Sequence, residues 1–198
     1  MLKLVTGLTE RGDEMEQAVK KQYYTVDEWL EWDENVRSEL YEGDLIMLGQ
    51  PNQRHQEILG ELYGQLWQYL KGKPCKVFPT PFGVKLFETE ETAFEPDIVA
   101  VCDESKLDGK ICNGAPDMVI EILSPSTARM DRKYKYLKYQ QAGVKEYWIV
   151  DPVDNYVQAG VLSNGSYITS IYTEEEAAVP ISVIEGCKIN LVDVFGEE

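Results

Sequence analysis

The sequence predicts an α/β (α+β) domain: a mixed β-sheet flanked by helices, with an N-terminal hairpin and a C-terminal β-rich extension. Three observations point to it. Helical spacing of apolar residues marks segments 52–70 and 128–142, three short extended runs lie between them, and a further strand follows the second helix. That order builds a sheet with helices packed on it. At 198 residues the chain suits one domain with a sizeable core. No internal repeat, low-complexity tract or linker divides it. Residues 1–22 lack an apolar stripe and are expected as a loosely attached extension, with 23–198 as the single domain.

Each element has its own local signal. Thr25 and Glu28 have the spacing of a capping box and open a short helix that runs to Glu31 or Trp32. Residues 37–48 (RSELYEGDLIML) alternate as a hairpin, with Glu42-Gly43-Asp44 at the turn. Ile58, Leu62, Leu66 and Tyr69 or Leu70 form one stripe of the 52–70 helix, which Gly72 and Pro74 stop. The extended runs are 83–87, 96–102 and 116–123, the last two joined by the polar loop DESKLDGKICNGA. Ser124-Pro125-Ser126-Thr127 breaks the strand and offers caps to the 128–142 helix. Met130, Tyr134, Leu137 and Gln141 line one side of that helix, and Asp131, Lys135 and Lys138 line another. Gly143 ends it, residues 146–150 form a strand, and the remainder reads as a meander with Asn164-Gly165 at a hairpin turn.

Composition excludes several classes. No apolar run approaches the roughly 18 residues a membrane span needs, and the first thirty residues carry acids where a secretory signal has its apolar stretch. A cytoplasmic protein with no membrane partner is expected. The four cysteines are widely spaced and form no Cys-x-x-Cys pair. They read as free thiols, with Cys102 as a small core residue, although a disulfide stays open. The single His55 leaves no second base for a His-based nucleophilic triad, and the glycines form no phosphate-cradling loop. Net charge is −16, from 35 acids and 19 basic residues, which argues against strong non-specific DNA affinity. The sign varies locally: between Glu121 and Trp148 there are six basic residues and three acids.

Asp97 and Glu121 stand out because each sits in a strand that otherwise reads as buried. Alternation places Asp97, Val99 and Val101 on one face of the first strand, and Asp117, Val119, Glu121 and Leu123 together on the second. A buried acid costs several kcal/mol unless it is paired, protonated or metal-bound. Two acids on neighbouring strands repel each other, and a divalent cation relieves that repulsion. Hard oxygen ligands suit Mg²⁺ or Mn²⁺ rather than zinc. The alternatives are a Glu121 paired with a Lys or Arg, and an Asp97 that caps the strand start after Pro96.

The segments SELYEGDLIM, RHQEI, EPDIVAVCD, GAPDMVIEILSPST and DRKYKYLKYQQAGVKEYWIVDP together resemble the Uma-two family of restriction-endonuclease-type proteins, placed in the PD-(D/E)XK nuclease superfamily. The resemblance runs from about Tyr24 into the C-terminal region and is most specific over 96–152. It implies a restriction-endonuclease-like core and metal-dependent hydrolysis of phosphodiester bonds in nucleic acid, DNA foremost. Carried over, Pro96-Asp97 supplies the motif's proline and aspartate, and Glu121 its acid. The lysine expected two residues later is Leu123 here. Lys135 is the expected replacement, with Lys85 as a second candidate; the alternative for Lys135 is a solvated helix-face lysine. Glu39 and His55 match recurrent family positions near the site. Their alternatives are a hairpin charge paired with Arg37 and a satisfied or capping histidine.

The resulting expectation is that Asp97, Glu121 and the Ile122 carbonyl hold the metal. Lys135 serves the attacking water or the phosphate charge, and Glu39 and His55 assist. A homodimer is expected, with Tyr156, Tyr167 and Tyr172 as exposed aromatics available to pair. The rivals are a catalytically silent, nuclease-like binding or assembly module, and structural acids that bind no metal.

Overall fold

The computed structural model describes residues 22–32, 36–176 and 178–196, so the expected extension lies almost wholly outside the described residues. In chain order the elements are α1 (Val26–Leu30), β1 (Ser38–Tyr41), β2 (Asp44–Met47), α2 (Gln53–Leu70), β3 (Lys76–Pro79), β4 (Val84–Lys85), β5 (Ala93–Phe94) and β6 (Ile98–Val101). After a 3₁₀ turn come β7 (Cys112–Asn113), β8 (Met118–Ile122), a π-helical segment (Met130–Lys135) and α3 (Tyr136–Ala142). The chain closes with β9 (Glu146–Asp151), β10 (Tyr156–Ser163), β11 (Ser166–Thr173), β12 (Val179–Pro180), β13 (Lys188–Ile189) and α4 (Leu191–Phe195).

The mixed sheet expected from the sequence is present, joined by a second, smaller sheet and a two-stranded pair, β12 with β13. Six strands run in the order β11-β10-β9-β8-β6-β3, and five in the order β2-β1-β5-β4-β7. Only β8 and β9 are parallel in the larger sheet, and the helical segment between them provides the crossover that parallel neighbours need. The extended run 83–87 contributes β4 to the smaller sheet, away from β6 and β8. The C-terminal strands also depart from expectation: β10 and β11 are not an appendage but extend the main sheet through β9. Two-residue strands such as β5 and β7 are too short to leave a periodic signal.

Local signals placed α1, α2 and the two hairpins, while β3, β12, β13 and α4 were not anticipated. Thr25 and Glu28 form the reciprocal capping box of α1, and Asn52 caps α2 by accepting from the His55 N–H. The Glu42-Gly43 and Asn164-Gly165 pairs both adopt positive φ, as tight two-residue hairpins require.

Each face of the larger sheet has its own core. Ile58, Leu62, Leu66 and Leu70 of α2 pack with Ile98, Ile120, Trp148 and Val150 on one side. On the other, Val99, Val119, Leu123 and Ile149 meet Tyr139 of α3 together with Val84 and Phe94 of the smaller sheet. A central strand covered on both faces explains why every residue of β8 is buried. Cys102 is not a free thiol: it is disulfide-bonded to Cys75, across the β3–β6 pair, while Cys112 and Cys187 are free and buried. No described helix is long and apolar enough to cross a membrane.

Candidate active site

The register of β6 against β8 pairs Ile98 with Ile120 and Val99 with Val119. One step further along the antiparallel ladder, Asp97 stands opposite Glu121, on the face that carries Val99 and Val119. Directly opposed side chains start from Cβ atoms about 4.5–5.5 Å apart. Both carboxylates are buried. Asp97 Oδ2 accepts a hydrogen bond from the Ile122 N–H at 2.8 Å and lies 3.3 Å from His55 Nε2. Glu121 Oε1 accepts from Lys135 Nζ at 3.0 Å and from the Tyr139 hydroxyl at 2.8 Å.

Lys135 gathers acids from three elements. Its ammonium donates to Glu39 Oε1 on β1 at 2.7 Å and to Glu121 on β8, and lies 3.3 Å from Asp131 Oδ1 on its own helical segment. With 3% of its surface exposed, Lys135 is not a solvated helix-face lysine. The helix turns its charged row inward and leaves Leu137 and Gln141 exposed. The reason is compensation: Lys135 has its acids, Lys138 pairs with Glu42 and Glu90, and Tyr139 supplies apolar surface on the same side. The π geometry is visible where the Tyr136 N–H bonds to the Asp131 carbonyl, five residues back. Such segments recur at functional sites.

The remaining candidates sort clearly. Glu39 is not paired with Arg37; it accepts from the Glu95 N–H at 3.0 Å and from Lys135. Arg37 instead donates to Thr80 Oγ1 at 2.7 Å, and its Nε lies 3.6 Å from Glu95 Oε2. His55 is buried within the first turn of α2 and is not itself the cap; its Nδ1 is buried with no hydrogen-bond partner. Lys85 lines a different cleft, with Leu86, Phe87 and Asn113, and takes no part here. Leu123, at the position where a lysine was expected, packs into the apolar core. The aromatics expected to be exposed are not free: Tyr167 is buried and donates to the Val144 carbonyl, Tyr172 packs on the core, and Tyr156 accepts from Arg132.

Burial dominates the electrostatics. It raises the Glu121 carboxyl well above the usual carboxylate range; Lys135 opposes this, and Asp131, Asp97 and Glu39 add to it. Burial likewise raises Glu39 and Asp131 against the pull of Lys135. For Lys135 burial acts downward, but Glu121, Glu39 and Asp131 outweigh it and hold the ammonium well above its ordinary value. At His55 burial also acts downward and is outweighed by Asp97, with help from the Ile122 carbonyl, so the imidazole is raised.

These groups line a cavity of about 220 Å³. Within it Glu39, Glu95, Asp97, Glu121 and Asp131 face only Arg37, Lys135 and His55 as counter-charges, an excess of negative charge that a divalent cation would offset. No group of three or more His, Cys, Asp or Glu side chains among the described residues is poised as a ready-made metal cage. Two opposed carboxylates and a backbone carbonyl, with water at the other positions, suit Mg²⁺ or Mn²⁺; Mg²⁺ commonly keeps several waters and dispenses with an all-protein cage. The cavity has one imidazole and no thiol, a donor set that suits these harder cations far better than zinc.

Asp131 and Tyr139 had not been singled out as site residues. Asp131, Lys135 and Tyr139 are spaced i, i+4, i+8, which places all three on one helical face. That spacing was the available signal.

Comparison with known proteins adds three findings. The Uma2 family model, described as "Putative restriction endonuclease", matches residues 26–192. Two uncharacterized proteins of Synechocystis are similar: one is 27% identical over 115 residues, 57% of this chain and 60% of its own, so the chain spans well under two thirds of that relative. The other is 23% identical over 145 residues, 69% of this chain and 81% of its own. Among solved structures, "a putative nuclease belonging to DUF820" from Anabaena variabilis superposes with a TM-score of 0.71 at 24% identity, covering 87% of this chain and 97% of that one. It has the same fold, a mixed α/β architecture with sheets flanked by helices.

Proposed function

The chain belongs to the Uma2 family of putative restriction endonucleases, and from that premise we propose that it is a metal-dependent endonuclease that hydrolyses phosphodiester bonds of nucleic acid, DNA foremost. One observation carries the reading: Asp97 and Glu121 oppose each other across the β6–β8 ladder, with the Lys135 amine hydrogen-bonded to Glu121. Asp97, Glu121 and the Ile122 carbonyl would hold Mg²⁺ or Mn²⁺. When bound, the ion supplies a lowered pKa for a water and charge stabilisation at a phosphoryl oxygen.

The protein's own groups do the rest. The Ile122 N–H and His55 Nε2 hold the Asp97 carboxylate in place. Lys135 and the Tyr139 hydroxyl fix Glu121 through the same oxygen, Oε1. Glu39 and Asp131 anchor Lys135, whose positive charge lies beside the carboxylate pair and can stabilise charge developing on the phosphate. The hydrophobic floor formed by Leu123, Val119 and Tyr139 restricts water below the pair. The proposal includes a homodimer, so that two sites address two strands.

Asp97→Ala should abolish Mg²⁺-dependent cleavage of plasmid or single-stranded DNA and leave the far-UV circular dichroism unchanged. Undiminished cleavage by that variant ends the proposal.

A second reading, a nuclease-like module that binds without cutting, is favoured by Leu123 at the lysine position and by the net charge of −16. Calorimetric Mg²⁺ binding with no cleavage of any nucleic acid would select it.

A further inference from the structure

A second cleft adjoins the acid cavity, and Arg37 and Glu95 line both. Its walls differ in kind from those of the first. Among the described residues, Trp29, Trp32, Phe82 and Ile111 give aromatic and apolar surface, and Arg37 and Lys110 outnumber the one acid, Glu95. On a chain this acidic, a positively biased aromatic cleft beside the carboxylate pair calls for an explanation.

Three features describe what would fill it. The cleft measures about 280 Å³, just below the roughly 300 Å³ at which small-molecule sites begin; that is room for one planar group with its sugar, not for a helix or a folded loop. The floor is closed tightly: a Cβ on Gly83 would come within 2.7 Å of Ile111 Cγ2 and 3.0 Å of Trp29 Cη2. That packing holds the buried Trp29 ring, 7% exposed, against the cleft wall and leaves the half-buried Trp32 as the accessible ring. At the partition between the clefts, Arg37 Nε and Glu95 Oε2 are both buried without a hydrogen-bond partner, 3.6 Å apart and so too far to satisfy each other. Arg37 Nε itself is shielded, but the Arg37 side chain as a whole is 29% exposed, so its guanidinium can present positive charge to an anion that spans the two clefts.

We propose that this cleft receives a single unstacked nucleobase of the strand whose phosphate lies at Asp97 and Glu121, with Arg37 gripping the intervening backbone and Lys110 the flanking phosphate. The proposal rests on the nucleic-acid reading above and deepens it, because it names the substrate class. A base can enter only after leaving its stack. Unstacking costs least in single strands, mismatches and damaged positions, so the preferred substrate is single-stranded or locally opened nucleic acid.

The test is an equilibrium binding measurement on the full chain with Ca²⁺ in place of Mg²⁺, so that the charge of the acid cavity is offset, with the strands checked on a gel to be intact afterwards. The probes are a fluorescein-labelled 12-mer single-stranded DNA, the same strand with one abasic residue moved along it, and the corresponding duplex. The intact single strand should bind more tightly than the duplex, and an abasic residue at one register should weaken binding by about tenfold, as loss of one base–aromatic stack does. Trp32→Ala should cause a similar loss and add little to the abasic penalty, because both remove the same contact. Lys110→Glu, an exposed change that spares the fold, should weaken all the strands. A flat abasic scan, equal or stronger binding of duplex, or no binding of any strand overturns the proposal. Asp97→Ala separates the two readings: if it binds like the unmodified chain, with the abasic penalty intact, while neither protein cuts with Mg²⁺, the base cleft stands and the nuclease reading falls. Cleavage by the unmodified chain without an abasic effect is the reverse.

Discussion

Lys135 is almost without water and is surrounded by Glu39, Glu121 and Asp131. Removing the cation would strand three buried carboxylates. Lys135→Met, close in length and apolar, should therefore cost about 3–5 kcal/mol of stability; urea unfolding at neutral pH checks this, and an unchanged midpoint would contradict the arrangement. Glu146 offers a contrast away from the site. It is buried beside the α2-side core, accepts from Trp148 Nε1 and the Val183 N–H, and burial raises its pKa despite those bonds. The folded chain thus binds its proton more tightly than the unfolded chain does. The stability this group contributes is present below its unfolded pKa, near 4.3, and is lost as pH rises through the higher folded value. Stability measured from pH 4 to 8 should fall relative to Glu146→Gln as pH increases; a flat difference would show that the group is not perturbed. At this scale Asp97 and Glu121 were legible because an acid within an apolar strand is conspicuous. Asp131 was not, since an acid on a helix ordinarily faces water.

Among the elements, those with end signals of their own were the easiest to read. Asn52 caps α2 and at the same time sets the first turn that carries His55. Asn52→Ala should lower stability by about 1 kcal/mol, measurable as a small drop in Tm; no change would mean the cap is solvated rather than working. The 128–142 helix was legible in position but not in orientation. Two rows, one of Met130, Tyr134, Leu137 and Gln141 and one of Asp131, Lys135 and Lys138, were visible, and it is Asp131, Lys135, Lys138 and Tyr139 that are buried. Periodicity identifies faces by polarity, and here ion pairing reverses what polarity implies. The π-helical segment has no sequence signature at all, because it depends on what the wide turn packs against.

Over the whole molecule, the acidic body leaves little surface on which a nucleic acid could bind without specific contacts. Duplex affinity from long-range charge alone should be weak. The proposed homodimer has a candidate edge. Strand β11 borders the larger sheet with one neighbour and exposes Ile168 and Ile171, each at 65%. Exposed edges of this kind template pairing with another copy. Sedimentation velocity should give about twice the 22.6 kDa chain mass, and Ile168→Lys with Ile171→Lys should return it to one copy. A monomeric unmodified chain would exclude the dimer.

The sequence by itself determined the capping box of α1, the two long helical segments, the two hairpin turns, and the presence of two acids in strands that read as buried. All of these follow from local chemistry, from hydrophobic period, or from an ordered series of short motifs. Only the tertiary structure decided that the strands divide among three sheets, that Glu39 crosses from the five-stranded sheet to Lys135, that His55 meets Asp97, and that Cys75 finds Cys102. Those contacts join residues far apart in the chain, and their existence depends on how whole layers pack, which no window of neighbouring residues encodes.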